Sequence, residues 1–207
     1  GSNFKLYKGL IPRGCKSFFG PKYALLRPEF AEYRETSIKR RQEGKIDHIM
    51  VNFGGGDPFD YIGKTLGALL KSDISHGVKL SIIFGDLATM TLEHQRLISC
   101  LPVKVKTYGS VINMAEILSD CDLVIGAAGG SAWERCCLGI PSLVFPIALN
   151  QVNIAKNLAS SGASITLGVR DLVNGKFETV LGSMFKNAAL MSMSHNASCV
   201  CDGTGVA

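Results

Sequence analysis

Short apolar runs alternate with amphipathic segments along most of this chain, and no other feature constrains its fold so tightly. Residues 48–53 form an apolar run that ends in Gly54-Gly55-Gly56, which predicts a buried strand and then a tight loop. Residues 59–71 carry apolar side chains at 62, 66, 69 and 70, the spacing of one helix face. The pairing then recurs. Residues 78–84 read as a strand and 91–99 as a helix; 103–108 alternate as a strand, and 114–118 read as a short helix. Residues 123–125 predict a further strand, which runs into Gly126-Ala127-Ala128-Gly129-Gly130. A helix from Ser131 ends near Gly139, with Pro141 just beyond. Residues 143–145 and 163–167 predict two more strands around a helix over 151–160, and 176–193 form one or two terminal helices. This alternation predicts βαβ units, hence an α/β fold with a parallel sheet and helices on both faces.

Composition narrows the function classes. Of 207 residues, 46% are hydrophobic and 19% charged, and the mean hydropathy is positive, which excludes a disordered chain. No apolar stretch reaches the roughly 18 residues of a membrane helix, so a soluble protein without a membrane partner is expected. Seven cysteines, an odd number without a signal peptide, point to reduced thiols and a cytoplasmic location. Neither they nor the scattered His48, His76, His94 and His195 have the spacing of a metal site. The net charge of +5 is modest and Lys39-Arg40-Arg41 is its one tight basic run, so no nucleic acid partner is required and an anionic small molecule fits as well. Residues 1–2 read as a tag remnant. Residues 3–45, broken by prolines and glycines and then charged, read as a lead-in outside the regular winding, and 46–207 as the domain proper.

In parallel α/β sheets ligands bind at the carboxyl ends of strands. Two glycine-rich loops fall there, Gly54-Gly55-Gly56-Asp57-Pro58 and Gly126 to Ser131. Glycine lets a backbone approach a ligand, and free amides at a helix start attract phosphate. Neither loop has the dinucleotide or P-loop pattern. Glu134 has two readings: a capping box with Ser131, or a carboxylate accepting both hydroxyls of a ribose. Asp57 either caps the next helix or belongs to the site. Trp133 and Arg135 are expected to be packing and surface residues, and His94 to face solvent. No nucleophile–base constellation or carboxylate pair can be assembled from local order.

Three segments resemble one family: Pro21-Lys22-Tyr23-Ala24-Leu25-Leu26-Arg27-Pro28-Glu29-Phe30; Gly54-Gly55-Gly56-Asp57-Pro58; and residues 114–143, most specifically 126–141. It is the UDP-2,4-diacetamido-2,4,6-trideoxy-β-L-altropyranose hydrolase family of pseudaminic acid biosynthesis, with relatives in spore-coat polysaccharide synthesis. The resemblance covers residues 7–205. It implies a Rossmann-like C-terminal half of a two-domain fold similar to GT-B glycosyltransferases, such as the enzyme that adds N-acetylglucosamine to lipid I. Gly129, Gly130 and Ser131 would then hold the diphosphate and Glu134 the ribose, with Val111, Ile112 and Met114 at the uracil end. Gly55, Gly56 and Arg27 would approach the phosphates from the other side, and Asn150 and Gln151 would face the sugar. The partners implied are UDP or a UDP-sugar and the protein's own N-terminal domain, with no cofactor and no metal. The activity implied is inverting hydrolysis of a UDP-sugar, with a donor domain of a glycosyltransferase or a non-catalytic nucleotide-sugar module as the alternatives. The family's catalytic histidine lies in a Gly-x-Gly-His-like motif of the other domain; no such motif occurs here, and the chain is expected to be inactive alone. Gly56 stands where the family often has serine.

Overall fold

The computed structural model describes residues 9–12, 14–74, 77–85, 89–185 and 188–205. Six parallel strands form one sheet: β1 (His48–Asn52), β2 (Lys79–Ile83), β3 (Lys104–Tyr108), β4 (Leu123–Ala127), β5 (Ser142–Phe145) and β6 (Ser164–Thr166). Their order is β3-β2-β1-β4-β5-β6. Successive strands step outward one way from β1 and then the other way from β4, so the direction of winding reverses between these two. That reversal opens a crevice at their carboxyl ends.

Side-chain alternation assigns the two faces. Ile49, Val51, Leu80, Ile82, Leu123, Ile125, Leu143 and Phe145 point to one core, which Ile62, Leu66 and Leu69 of α2 (Tyr61–Leu69) help fill. Phe177, Leu181 and Met184 of α7 (Lys176–Met184) complete it. Met50, Ile83 and Val124 point the other way, onto α4 (Met114–Ser119) and α5 (Ser131–Cys137). Further helices are α3 (Leu92–Cys100), α6 (Leu149–Ser160) and α8 (Ala188–Ser198). The predicted α/β architecture is the observed one. Among the described residues no helix is long and apolar enough to cross a membrane.

One layer was not assigned from sequence. Residues Pro28–Arg40 form a helix, α1, with Phe30 and Ser37 fully buried against the second core. Its arginines cap other helices. Arg34 donates to the carbonyls of Cys137, Ser198 (2.7 Å) and Cys201 (2.9 Å). Arg41, 1% exposed, donates to the carbonyls of Leu118 (3.4 Å), Cys121 and Leu138 (3.1 Å). These acceptors lie at or just past the carboxyl ends of α4, α5 and α8, where a cation also opposes the helix dipole. Arg40 pairs with Asp122 at 2.9 Å. Of the one tight basic run, Arg41 is thus buried in the fold and the exposed Arg40 is paired with Asp122.

Candidate functional site

The glycines of the two loops separate into two kinds. Gly126 pairs with Asn52 across β1 and β4, and a Cβ there would lie 2.0 Å from the Asn52 carbonyl oxygen. At Gly85, whose φ is +75°, a Cβ would lie 2.6 Å from the Gly54 oxygen. Both are demanded by the protein's own backbone. At Gly55 and Gly130 an added Cβ would meet nothing within 4 Å. Packing gives no reason for glycine at these two, and both border the crevice.

A cavity of about 240 Å³ opens at the crevice, lined by Asn52, Gly54, Gly55, Ile83, Gly85, Gly109, Ser110, Val111, Met114, Ser131 and Glu134. Four stretches of chain converge there. Asn52 ends β1 and accepts from the Gly54 amide at 2.7 Å, which pins the loop. Asn113 caps α4 by accepting from Glu116 N–H at 3.2 Å and so sets the turn that presents Val111 and Met114. The first turn of α5 closes with Ala132 N–H on Gly129 O and Trp133 N–H on Gly130 O; the amides of Gly130 and Ser131 have no partner among the described residues.

Glu134 is half-buried in this cavity, and its carboxylate has no hydrogen-bond partner among the described residues. The capping box is absent: Gly130 occupies the N-cap of α5, and no side chain caps it. Burial pushes the Glu134 carboxyl above its ordinary range, against the opposing pull of Arg135 and Arg27.

The other expected residues fall around this point. Gly129 is half-buried beside Gln151, whose Nε2 lies 3.4 Å from where a Gly129 Cβ would sit. The Gln151 Oε1 accepts from Ile147 N–H at 3.1 Å, which turns the NH₂ end toward the loop. Asn150 is exposed at the start of α6, and Ile112 is 92% exposed on the rim. Arg27 is exposed and donates to the Ile112 carbonyl at 2.9 Å, which ties the α1 entry to the Val111 turn. Gly56 does not line this cavity. It borders a second one of about 460 Å³, with Asp57, Asp60, Phe84, Thr91 and His94.

In that larger cavity the polar groups already satisfy one another. Asp57 accepts from Tyr61 and Ile62 N–H at 2.8 and 2.6 Å, so it is a cap of α2. His94 is not solvent-facing as expected: it is 7% exposed, accepts from Thr91 N–H at Nδ1 and faces Asp60 across 2.7 Å at Nε2. It is the N3 member of a capping box, a role its neighbours Glu93 and Gln95 would more commonly announce. Arg135 is likewise not a surface residue. It is 3% exposed and donates to Ser131 Oγ and Ala127 O. Asn52 was also missed; the signal was a polar residue within an apolar run, two residues before three glycines. Among the described residues no group of three or more His, Cys, Asp or Glu is placed to hold a metal ion.

Residues 49–202 match the model of the glycosyltransferase family 28 C-terminal domain. The chain belongs to this family. This family 28 domain is also similar to the spore coat polysaccharide biosynthesis protein SpsG of Bacillus subtilis, with 28% identity over 163 residues, 79% of this chain and 47% of SpsG. The chain spans less than half the length of the curated relatives it matches. Among solved structures, Acinetobacter baumannii MurG superposes with a TM-score of 0.66 at 18% identity, over 94% of this chain and 55% of MurG. The spinosyn rhamnosyltransferase SpnG, complexed with thymidine diphosphate, superposes with 0.58 at 24% identity, over 77% of this chain and 42% of SpnG. These likenesses establish a GT-B-like fold for the domain.

Proposed function

We propose that this chain is the nucleotide-sugar donor-binding domain of a two-domain glycosyltransferase-type enzyme of polysaccharide biosynthesis, and that it holds UDP in the 240 Å³ cavity. The observation that carries this reading is Glu134, an unpartnered carboxylate partly removed from water at the mouth of two glycine loops. A planar carboxylate accepts two neighbouring hydroxyls, as a ribose supplies them. The free amides of Gly130 and Ser131, with Gly129, take the diphosphate on one side, and Gly55 approaches it on the other. Val111 and Met114 offer apolar contact to the uracil, with Ile112 on the rim. Arg27 holds that turn and brings a positive charge near the anion. Asn150 and Gln151 are left for the sugar. Gly56 loses its place in the first rank, because it borders the neighbouring cavity. Family membership supports the reading, as do the named role of SpsG and the thymidine diphosphate bound to SpnG.

In this reading the domain's part in the reaction is to hold the leaving group. As the anomeric bond breaks, charge develops on the diphosphate, and donors already aimed at it lower the barrier without reorganising. The acceptor and the base that activates it belong to groups outside this chain. A second reading makes water the acceptor, so that the whole enzyme is a UDP-sugar hydrolase of pseudaminic acid biosynthesis. The similarity of residues 126–141 to that family favours it, whereas the family 28 match favours transfer to a sugar or lipid acceptor. Both use the same donor site.

Calorimetry on the chain with UDP, uridine and CDP tests the shared part. UDP is expected to bind more tightly than either of the others. Equal affinity for UDP and uridine removes the diphosphate assignment. Joining the domain to its natural other half, with and without an acceptor, then separates transferase from hydrolase.

A further inference from the structure

We propose that Arg135 is a positioning residue of the diphosphate site, which commits the Ser131 hydroxyl to donate into the cavity toward a ligand phosphate. This rests on the donor-site reading above. A guanidinium has donors only, whereas a serine hydroxyl has one proton and two acceptor lone pairs. Arg135 Nη1 donates to Ser131 Oγ at 3.1 Å, so this oxygen already receives one hydrogen bond from below. Arg135 Nη2 donates to the Ala127 carbonyl at 2.8 Å. That carbonyl ends β4, so one guanidinium ties the strand end to the first residue of α5. With its inward side already accepting from Arg135, the hydroxyl keeps its proton to donate outward. Ser131 lines the cavity together with Glu134, Gly54 and Gly55.

The charge of Arg135 has the same sense. It is 3% exposed, has no carboxylate within ion-pair distance among the described residues, and its Nε is buried with no partner. Burial lowers its pKa to about 10, which still leaves it protonated at neutral pH. A buried cation with no direct ion pair is costly, Glu134 offsets it only through space, and a neutral donor would serve the Ala127 carbonyl as well. An anion held by Ser131 would add opposing charge one hydrogen bond away.

The test compares Ser131→Ala, Arg135→Met, the double variant and Arg135→Lys by calorimetry with UDP and with uridine, alongside thermal melting. Ser131→Ala and Arg135→Met are each expected to weaken UDP roughly tenfold, the scale of one charge-assisted hydrogen bond, and to leave uridine within about twofold. The double variant should lose clearly less than the product of the two single losses, because Arg135 acts largely through Ser131. Arg135→Lys, which keeps a charge and a donor, should recover part of the preference for UDP. If Arg135→Met does not fold, Arg135→Lys combined with Ser131→Ala carries the same comparison. Parallel losses for UDP and uridine, or fully additive losses in the double variant, overturn the positioning role alone. A wild-type chain with no preference for UDP over uridine overturns the donor-site reading and this proposal together.

Discussion

Glu134→Gln should move binding and stability in opposite directions. In the free chain the Glu134 carboxylate is half-buried, unpartnered and held above its ordinary pKa by burial. A group whose folded pKa is raised contributes stability below its unfolded pKa and loses it as pH rises through the folded value. At neutral pH the charged form is therefore a net cost to the fold. Glutamine is nearly isosteric and removes that charge, and no capping bond is broken, because none exists. The melting temperature at neutral pH should stay level or rise. In the proposed UDP complex the carboxylate would accept hydroxyl hydrogen bonds, and a hydrogen bond to a charged group contributes about 1.5–3 kcal/mol. Glutamine can accept one such bond but not two with charge, so a loss of about 1–3 kcal/mol, or roughly five- to 150-fold in Kd, is expected. Calorimetry with UDP and with its 2′-deoxy analogue reads the effect, and the substitution should cost less against the analogue. A lowered melting temperature with unchanged UDP affinity would refute the ribose assignment and make the carboxylate structural.

Uridine, which has no phosphate to titrate, should bind wild-type protein more weakly as pH falls through the raised Glu134 range, and Glu134→Gln should flatten that profile. Gly126→Ala should destabilise by about 3 kcal/mol or more in chemical denaturation, because its Cβ overlaps the Asn52 carbonyl; Gly130→Ala, in open space with helical backbone, should cost under about 1 kcal/mol yet weaken UDP. Arg41→Met should cost about 1–3 kcal/mol, as the Cys121 and Leu138 carbonyls each lose a charged donor. The chain alone should release no UDP from a UDP-sugar: His94, the one imidazole bordering either cavity, is engaged by Thr91 and Asp60, and a steady release in a coupled assay would contradict this.

The layered core was legible because its signal is local. Ile49 and Val51 face one side of the sheet and Met50 the other, and the pleat converts that order directly into two cores. The end of α5 was legible for the same reason: Gly139 adopts a left-handed φ of +63°, with Ile140 N–H on Arg135 O at 2.8 Å, just before Pro141. The crevice followed from topology, once strands and helices alternate. Glu134 was legible as a choice between two roles, and the structure removes the capping role because Gly130, one residue earlier than Ser131, is the N-cap.

The arginines and His94 belong to another class. Residue type alone assigns Arg34, Arg41 and Arg135 to the surface, since a lone buried cation is costly. What reverses that assignment is a set of carbonyls orphaned at helix ends, and these lie far along the chain: Arg41 reaches Leu138, and Arg34 reaches Cys201, 167 residues away. No window on the sequence contains both the donor and the acceptor. Arg135 is the sharper case, because its partners Ser131 and Ala127 are only four and eight residues distant and still gave no signal. A helix that starts at Ser131 places Arg135 one turn below Ser131, but whether that position faces solvent or the sheet depends on how α5 is rotated. Trp133 and Glu134 both tolerate partial exposure, so they did not fix the rotation; Ala132 and Cys136, four residues apart and buried against the sheet, do. Taken as the apolar stripe of α5, that small-residue pair places Arg135 beside it, under the loop.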